Sequence, residues 1–560
     1  RTRHELLLQA TGREAGQHLH PARSAARRVP KPRAEEGTPA SPAWSGFEGL
    51  GPNEAIDEVV LGLPGALPVI NREAVERAMR VGMMLGCSVA RWTKWDRKGY
   101  FYPDLPKGYQ ISQYDLPLCF DGAVDVPEAD GAGLVDWTGE KGGFARIGII
   151  RAHLEEDAGK LLHEMPGGGG GAIEGSIVDL NRAGTALLEV VTAPDFTSAG
   201  RCVGFAQMLR QMCRYCGASE GVLQKGHMRF EPNVNCVLTL EDGRVVKTPI
   251  VEVKNLNSFR SLRGAIEYEL REQPARWERD GREMSAGNKV TRGWDETAMN
   301  GAGATFVQRE KEEAADYRYF PDPDLLGVKI DQAWQSRVRE TIPEAMGPRI
   351  VRYVSHWGLS VKEAEALTGE RADSDLYEKA IDIAAEKGAP RHGAARGIAN
   401  LLLQNGAKRA NERSAGRIER EGQLARPVIV SELGVSAAEL AEIFLLRDAG
   451  KISAAGADEL FGALCVGEDE QDSAVAGVMA STARDVGAMA QQRGLIIERD
   501  ENAMAAWVAQ AIAENAKAAE DVRAGKDQAV GRIVGAAMKL AAGKGDAAAL
   551  REAIIRTLRG

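Results

Sequence analysis

Cysteine is scarce in this chain, with seven residues among 560. That is too few for a disulfide framework and makes a reducing compartment the default. No apolar run is long enough to cross a bilayer, which excludes an integral helical membrane protein. No GxSxG nucleophile elbow and no Ser-Ser-Lys arrangement occurs, so the chain carries no amidase or hydrolase signature of its own. The glycine run at 167–171 is not followed by Gly-Lys-Ser/Thr and is therefore a linker or surface insertion, not a phosphate loop. An excess of positive charge is also missing. The net charge is -9, so any nucleic-acid contact must come from a local patch.

What is present suits a soluble globular protein of two to four domains, with 44% hydrophobic residues over 560 positions. The chain opens on Arg1, which points to a fragment, a processed form or a displaced start. Residues 1–45 are rich in Arg, Ala and Pro without periodicity and are expected to be disordered. From about residue 51 to 325 short strands and helices alternate with many glycines, with few regular βαβ repeats. This predicts an α+β fold with a largely antiparallel sheet. Asn71 is a good N-cap for an amphipathic helix. "GHMRFEPNVNCVLTL" alternates as one half-buried strand, with Arg229, Glu231, Asn233 and Asn235 on one face, and "RVVKTPIVEVKNLNSF" reads as a second. From about residue 341 aromatics thin out and helical spacing dominates, with two helices expected around Gly450. Cys213 and Cys216 form the one CxxC. They fall on the apolar side of a helical pattern and read better as core cysteines than as metal ligands.

Three acidic positions could carry chemistry. Glu189 interrupts the apolar run Leu187, Leu188, Val190, Val191, where an ionised carboxylate is costly unless compensated. Glu155-Glu156-Asp157 ends a strand, and Glu231 lies on a polar strand face. Such oxygen donors suit Mg²⁺. The alternative is a set of strand-end acids paired with Arg182, Arg229 or Lys254. The stretch "WDRKGYFYPDLPKGYQISQY" collects Lys98, Tyr100, Tyr102, Lys107, Tyr109 and Gln110, which suit a polar passage, nucleotide stacking or a proline-braced loop. In "DYRYFPDPDL", Arg318 between Tyr317 and Tyr319 is either a substrate contact or a cation–π clamp. Residues 517–560 hold nine Lys/Arg against five Asp/Glu. They form either a solvated helical face or a phosphate-contacting tail.

The segments "LGLPGALPVINREAV", "DRKGYFYPDLPKGYQISQYDLPL", "IGIIRAHLEEDAGKLLH", "DLNRAGTALLEVVTAPDF", "VEVKNLNSFRSLRGAIEYE", "TRGWDET", "ADYRYFPDPDL" and "AGKDQAVGRIVGAAMKLAAGKGD" run in order across about residues 51–560. Together they resemble the B subunit of the aspartyl/glutamyl-tRNA amidotransferases. The resemblance implies a cradle domain at 46–340, a helical domain at 341–430 and a helical tRNA-binding tail at 431–560. It implies ATP-dependent phosphorylation of the side-chain carboxylate of Glu-tRNA(Gln) or Asp-tRNA(Asn). Amidation then uses ammonia channelled from a glutaminase. The expected cofactors are ATP and Mg²⁺. The expected partners are misacylated tRNA and the two other subunits of the amidotransferase, the amidase and a small third protein. No membrane is expected, and the setting is the bacterial cytoplasm or an organelle.

Residue by residue, the resemblance implies catalytic and metal roles for Glu156, Glu189 and Glu231, the last where the family more often has Asp. Lys98, Tyr100, Lys107, Asn181, Arg182 and Arg318 correspond to channel or substrate positions. Lys526, Arg532, Lys539 and Lys544 correspond to tRNA contacts. The family's opening Gly-Leu-Glu-x-His strand has no match in residues 1–50, and "LQKGHMRFE" carries Lys225 and Phe230 where acid and Cys are usual. The absence of cysteine before Cys87 predicts no zinc cluster. These departures support a second reading, a non-catalytic tRNA-binding or assembly protein with an incomplete metal site.

Overall fold

The computed structural model describes residues 11–18, 50–164, 172–285, 288–310, 317–421, 427–465, 484–497, 501–541 and 547–559. The 167–171 glycine run lies outside them. The chain divides into two compact units, Arg1–Val351 and Arg352–Gly560.

The first unit is α+β. Its largest sheet has six strands in the order Met228–Phe230, Thr11–His18, Thr185–Thr192, Phe144–Glu156, Cys119–Pro127 and Ser88–Val89, every neighbouring pair antiparallel. The Thr185–Thr192 strand, an inner strand of the sheet, is buried along nearly its whole length, so period-2 polarity is not needed there. Helix Arg72–Met84 starts at Asn71, whose side chain accepts from the amides of Glu73 and Ala74. Helix Ala199–Tyr215 is buried over most of its surface. Its Gly204 lies so near the Pro127 carbonyl that a Cβ would sit 2.1 Å from that oxygen. Cys213 and Cys216 are buried at its C-terminal end, and neither forms a disulfide.

The N-terminal expectation is corrected in one place. Thr11–His18, placed above in a disordered segment, runs as a strand between Thr185–Thr192 and Met228–Phe230. Its register sets Arg13 opposite Glu189 on one side and opposite Arg229 on the other.

The expectation of two long strands is also corrected. "GHMRFEPNVNCVLTL" divides into Met228–Phe230, Asn233–Val234 and Val237–Thr239, which belong to three different sheets. "RVVKTPIVEVKNLNSF" divides into Val245–Lys247 and Val251–Lys254. Two of the three breaks fall at Pro232 and Pro249, which lack the amide a continuous ladder requires. A four-stranded sheet follows, ordered Asn233–Val234, Val251–Lys254, Val290–Asp295, Ala304–Glu310, with one parallel pair at its centre. It packs against helix Phe259–Asp280.

A smaller three-stranded sheet pairs Asp96–Gly99 with Tyr109–Ser112 and with Phe320–Pro321. Buried Asp322 anchors the last segment by accepting from Arg97 Nε at 2.8 Å, while the Arg97 guanidinium lies 4.2 Å from the Tyr109 ring centroid.

In the second unit the described regular structure is helical apart from a single bridge between Ile452 and Ile496. Helices Ala437–Asp448 and Ala454–Leu464 flank Gly450, whose φ of 68° closes the first of them. The last helices, Glu501–Glu514, Ala516–Arg523, Val530–Leu540 and Ala547–Arg559, share a core that includes Val508, Val522, Ile533 and Ile554.

Candidate active site

Antiparallel register decides which acids meet. Glu189 stands opposite His153, and Glu155 lies two residues further along the same strand as His153. Directly opposed residues share a sheet face, and so do residues i and i+2. His153, Glu155 and Glu189 therefore converge, with one ligand atom of each within 4.8 Å of the others. His153 and Glu155 are buried. Among the described residues the imidazole Nδ1 is enclosed with no hydrogen-bond partner, and its Nε2 lies 3.6 Å from Glu155 Oε1. The small sheet closes over Glu155: Ser112 Oγ donates to it at 2.7 Å, Gln110 Nε2 at 3.3 Å and Lys98 Nζ at 3.4 Å.

Glu156 points the other way, as alternation requires. Its carboxylate meets Lys107 Nζ at 2.5 Å and accepts from the Ile111 amide at 2.8 Å. Burial is the largest influence on this carboxyl and pushes it up. Lys107 and the Ile111 amide pull it back without cancelling that rise. The pair is a clamp between the small sheet and the end of the long strand.

Glu231 follows the Met228–Phe230 strand and lies 3.7 Å from Lys254 Nζ. Of the expected set Glu156, Glu189 and Glu231, only Glu189 stands in the group that the described residues assemble. The strand-end pairings do form, since Asp157 meets Arg182 Nε at 2.9 Å and Arg229 Nη2 at 3.7 Å. His153 joins the group without having been expected there, and Glu155 was expected only as one of the strand-end acids Glu155-Glu156-Asp157. The signal was present in "HLEED", where one period-2 step separates His153 from Glu155 and puts Glu156 on the opposite face.

The other expected site residues divide into two sets. Asn181 and Arg182 brace the chain around the turn that precedes the Glu189 strand. Asn181 accepts from the Ala55 amide and donates to the Gly51 carbonyl, both at 2.8 Å. Arg182 donates to the carbonyls of Ala158 and Gly159. Lys98, Tyr100, Lys107 and Arg318 belong to the small sheet and the segment beside it. Lys98 Nζ reaches Glu155 and also lies 5.2 Å from the Tyr317 ring centroid. Tyr100 sits 5.5 Å from Tyr102, ring to ring. Arg318 is exposed and adopts a left-handed φ of 44°.

Next to it Tyr319 stacks on Tyr114 with ring centroids 4.4 Å apart and 19° between planes. Burial is the main influence raising the Tyr319 phenol. Lys98 opposes it, and the charges of Glu155 and Glu189 add to it, so the ring stands beside the acid group. Gly99 permits the close approach of this segment, because its amide donates to the Tyr317 carbonyl at 2.7 Å and a Cβ there would lie 3.0 Å from that oxygen.

In the tail, Arg532 and Lys539 are exposed on one helix, seven residues apart and so near the same face. Lys526 is exposed and paired with Asp521 at 2.9 Å. Lys544 lies outside the described residues.

The residues present fit a divalent cation. Two carboxylates and an imidazole whose Nδ1 has no partner among the described residues make a mixed oxygen–nitrogen donor set, suited to Mn²⁺ or Zn²⁺ as well as Mg²⁺. Two family profiles match the chain. The profile of the GatB/GatE catalytic domain covers residues 40–336, and that of the GatB domain covers residues 416–558. Curated relatives named as the B subunit of aspartyl/glutamyl-tRNA(Asn/Gln) amidotransferase agree. The protein of Rhodopirellula baltica is 36% identical over 493 residues, covering 88% of each chain. That of Thermomicrobium roseum is 37% identical over 92% of this chain and 93% of its own, and that of Thermobifida fusca 39% identical over 91% and 89%. The chain belongs to the family of aspartyl/glutamyl-tRNA(Asn/Gln) amidotransferase B subunits. Among the described residues, no helix is long and apolar enough to cross a membrane.

Proposed function

We propose that this chain activates the side-chain carboxylate of Glu-tRNA(Gln) or Asp-tRNA(Asn) and completes its conversion to the amide. The observation that carries the proposal is the convergence of His153, Glu155 and Glu189 under a lid that supplies Lys98. In the first step a substrate carboxylate oxygen attacks the γ-phosphorus of ATP. ADP leaves and an acyl phosphate forms, which turns a poor leaving group into a good one. In the second step ammonia adds to the acyl carbon, inorganic phosphate departs and a proton is lost. His153, Glu155 and Glu189 would hold a divalent cation, which would supply neutralisation of phosphate charge. Lys98 stands beside Glu155 and supplies a second cation at the same place. The cover of Ser112, Gln110 and the Tyr319 ring excludes water and strengthens each electrostatic contact.

Ammonia comes from glutamine on a separate amidase protein, and a small third protein completes the assembly. The helical tail, with Arg532 and Lys539 on one face, contacts tRNA phosphates. The cradle, helical and tail regions are assigned to 46–340, 341–430 and 431–560, and the complex works in the cytoplasm. The departures of residues 1–50 and of Lys225, Phe230 and Glu231 from the family pattern favour a second reading, in which the metal site is incomplete and the chain serves only in tRNA binding or assembly. Phosphate release from ATP in the presence of misacylated tRNA separates the two. On the first reading Glu155→Gln and Glu189→Gln abolish it while tRNA binding stays intact. Absence of release from the unmodified complex, with tRNA still bound, supports the second.

A further inference from the structure

The segment around Arg318 holds a strained backbone for no evident structural gain. A non-glycine residue at φ 44° sits in a sparsely populated region, and such strain persists where neighbouring contacts over-determine it. Here the contacts are on either side of it. The Tyr317 carbonyl is held by the Gly99 amide at 2.7 Å, and Phe320 pairs in the small sheet with Arg97. Between these anchors the turn at Arg318 delivers Tyr319 onto Tyr114 as a near-parallel stack, 4.4 Å between centroids, with Tyr317 edge-on at 6.2 Å.

The stack has an inner and an outer end. Tyr319 is half-buried, and its neighbour Tyr317 is approached by Lys98, which also reaches Glu155. Tyr114 is the outer ring and is 61% exposed. The Tyr114 amide is pinned by Asp96 Oδ2 at 3.2 Å, and Asp96 is itself held by Lys94. An exposed ring fixed at backbone and face, beside cations and an acid group that fits a divalent ion, has the features of a base-stacking platform.

We propose that the Tyr114–Tyr319 stack is a binding site for an adenine ring, with the outer face of Tyr114 as the contact surface. The assignment rests on the amidotransferase reading above, because both substrates of that reaction, ATP and the 3′ end of tRNA, carry an adenosine. Stacking on Tyr114 would leave the attached phosphates or aminoacyl ester to extend toward Lys98 and the acid group.

The test is equilibrium binding to the assembled complex, with ADP–Mg²⁺ as one probe and misacylated tRNA as the other. Tyr114→Ala weakens one probe by about ten-fold or more, the loss typical of removing one base–aromatic stack. Tyr114→Phe keeps the ring and leaves both affinities unchanged. Loss of ADP affinity assigns the platform to the nucleotide. Loss of tRNA affinity that disappears when the tRNA lacks its terminal adenosine assigns it to the acceptor end. Tyr114→Ala with both affinities unchanged overturns the proposal, as does an equal loss in Tyr114→Phe. Because Tyr114 is exposed, an unchanged melting curve confirms that the variants are folded. The readout is binding, so it is distinct from a failure of the amidation reaction, which would count against the functional reading instead.

Discussion

Lys107→Met should destabilise the first unit far more than its position near a loop suggests. Lys107 and Glu156 side chains are 4% and 2% exposed, with Nζ 2.5 Å from Oε1. Removing the lysine leaves a carboxylate buried without its cation, which costs about 3–5 kcal/mol. The Ile111 amide still donates to the carboxylate in the variant, so a loss toward the lower end of that range is expected. Burial already pushes the Glu156 carboxyl up, and without Lys107 it rises further, so the variant partly escapes by protonation. Its stability should therefore fall as pH rises through the raised value and recover at acid pH, where folded and unfolded states both carry the proton. The double variant Lys107→Met/Glu156→Leu removes both charges and should lie close to the unmodified protein. Guanidinium unfolding of the first unit at several pH values measures this. A single variant no less stable than the double would refute the clamp. If Lys107 acts only on an ammonia path, stability stays unchanged and glutamine-dependent activity falls while ammonium-dependent activity persists.

The cation group makes a second prediction: His153→Ala and Glu155→Gln should each lower Mn²⁺ affinity in calorimetry by about ten-fold or more, as expected for loss of a ligand or its support, and unchanged affinity in both would remove the site. A third concerns pH. Burial alone would push the Glu439 carboxyl up, but the Arg484 guanidinium at 2.7 Å and the Ser436 cap hold it below the usual carboxylate range. A depressed folded value means that the unfolded state binds more protons, so this stability is complete above the ordinary carboxylate range and is lost as pH falls below it. Glu439→Gln should flatten the acid limb of the unfolding curve, and an unaltered limb would show that the ion pair contributes nothing there. A fourth concerns the tail. Arg532→Glu with Lys539→Glu should weaken tRNA binding across sequences and reduce the salt slope by roughly one per lost phosphate contact, whereas an unchanged slope takes this helix face out of the interface.

Much of the fold was legible because local rules and tertiary structure agreed. Asn71 caps its helix, Gly450 ends another, and the α+β character follows from short strands without regular crossovers. The apolar run around Glu189 marked the position that meets His153 and Glu155. Sequence alone does not say whether Glu155 or Glu156 meets Glu189, since neighbouring residues on a strand face opposite ways and only register with the partner strand decides it. Pro232 and Pro249 carried a break signal that the alternation around them masked. The bracing roles of Asn181 and Arg182 were not readable, because the partners of Asn181 are 126 and 130 positions away and family resemblance alone assigned both to substrate. Nor did composition announce the strand at Thr11–His18, where pairing on both edges overrides weak propensity.

The central claim is that a site built on His153, Glu155 and Glu189 activates a tRNA-borne carboxylate. The most direct measurement is ATP-dependent amidation of misacylated tRNA by this chain assembled with its glutaminase partner, with ammonium chloride as a parallel nitrogen source. The account predicts amide formation from both nitrogen sources, abolished in both by Glu155→Gln. Bound tRNA with no amide from either source, or full activity in Glu155→Gln, would contradict it.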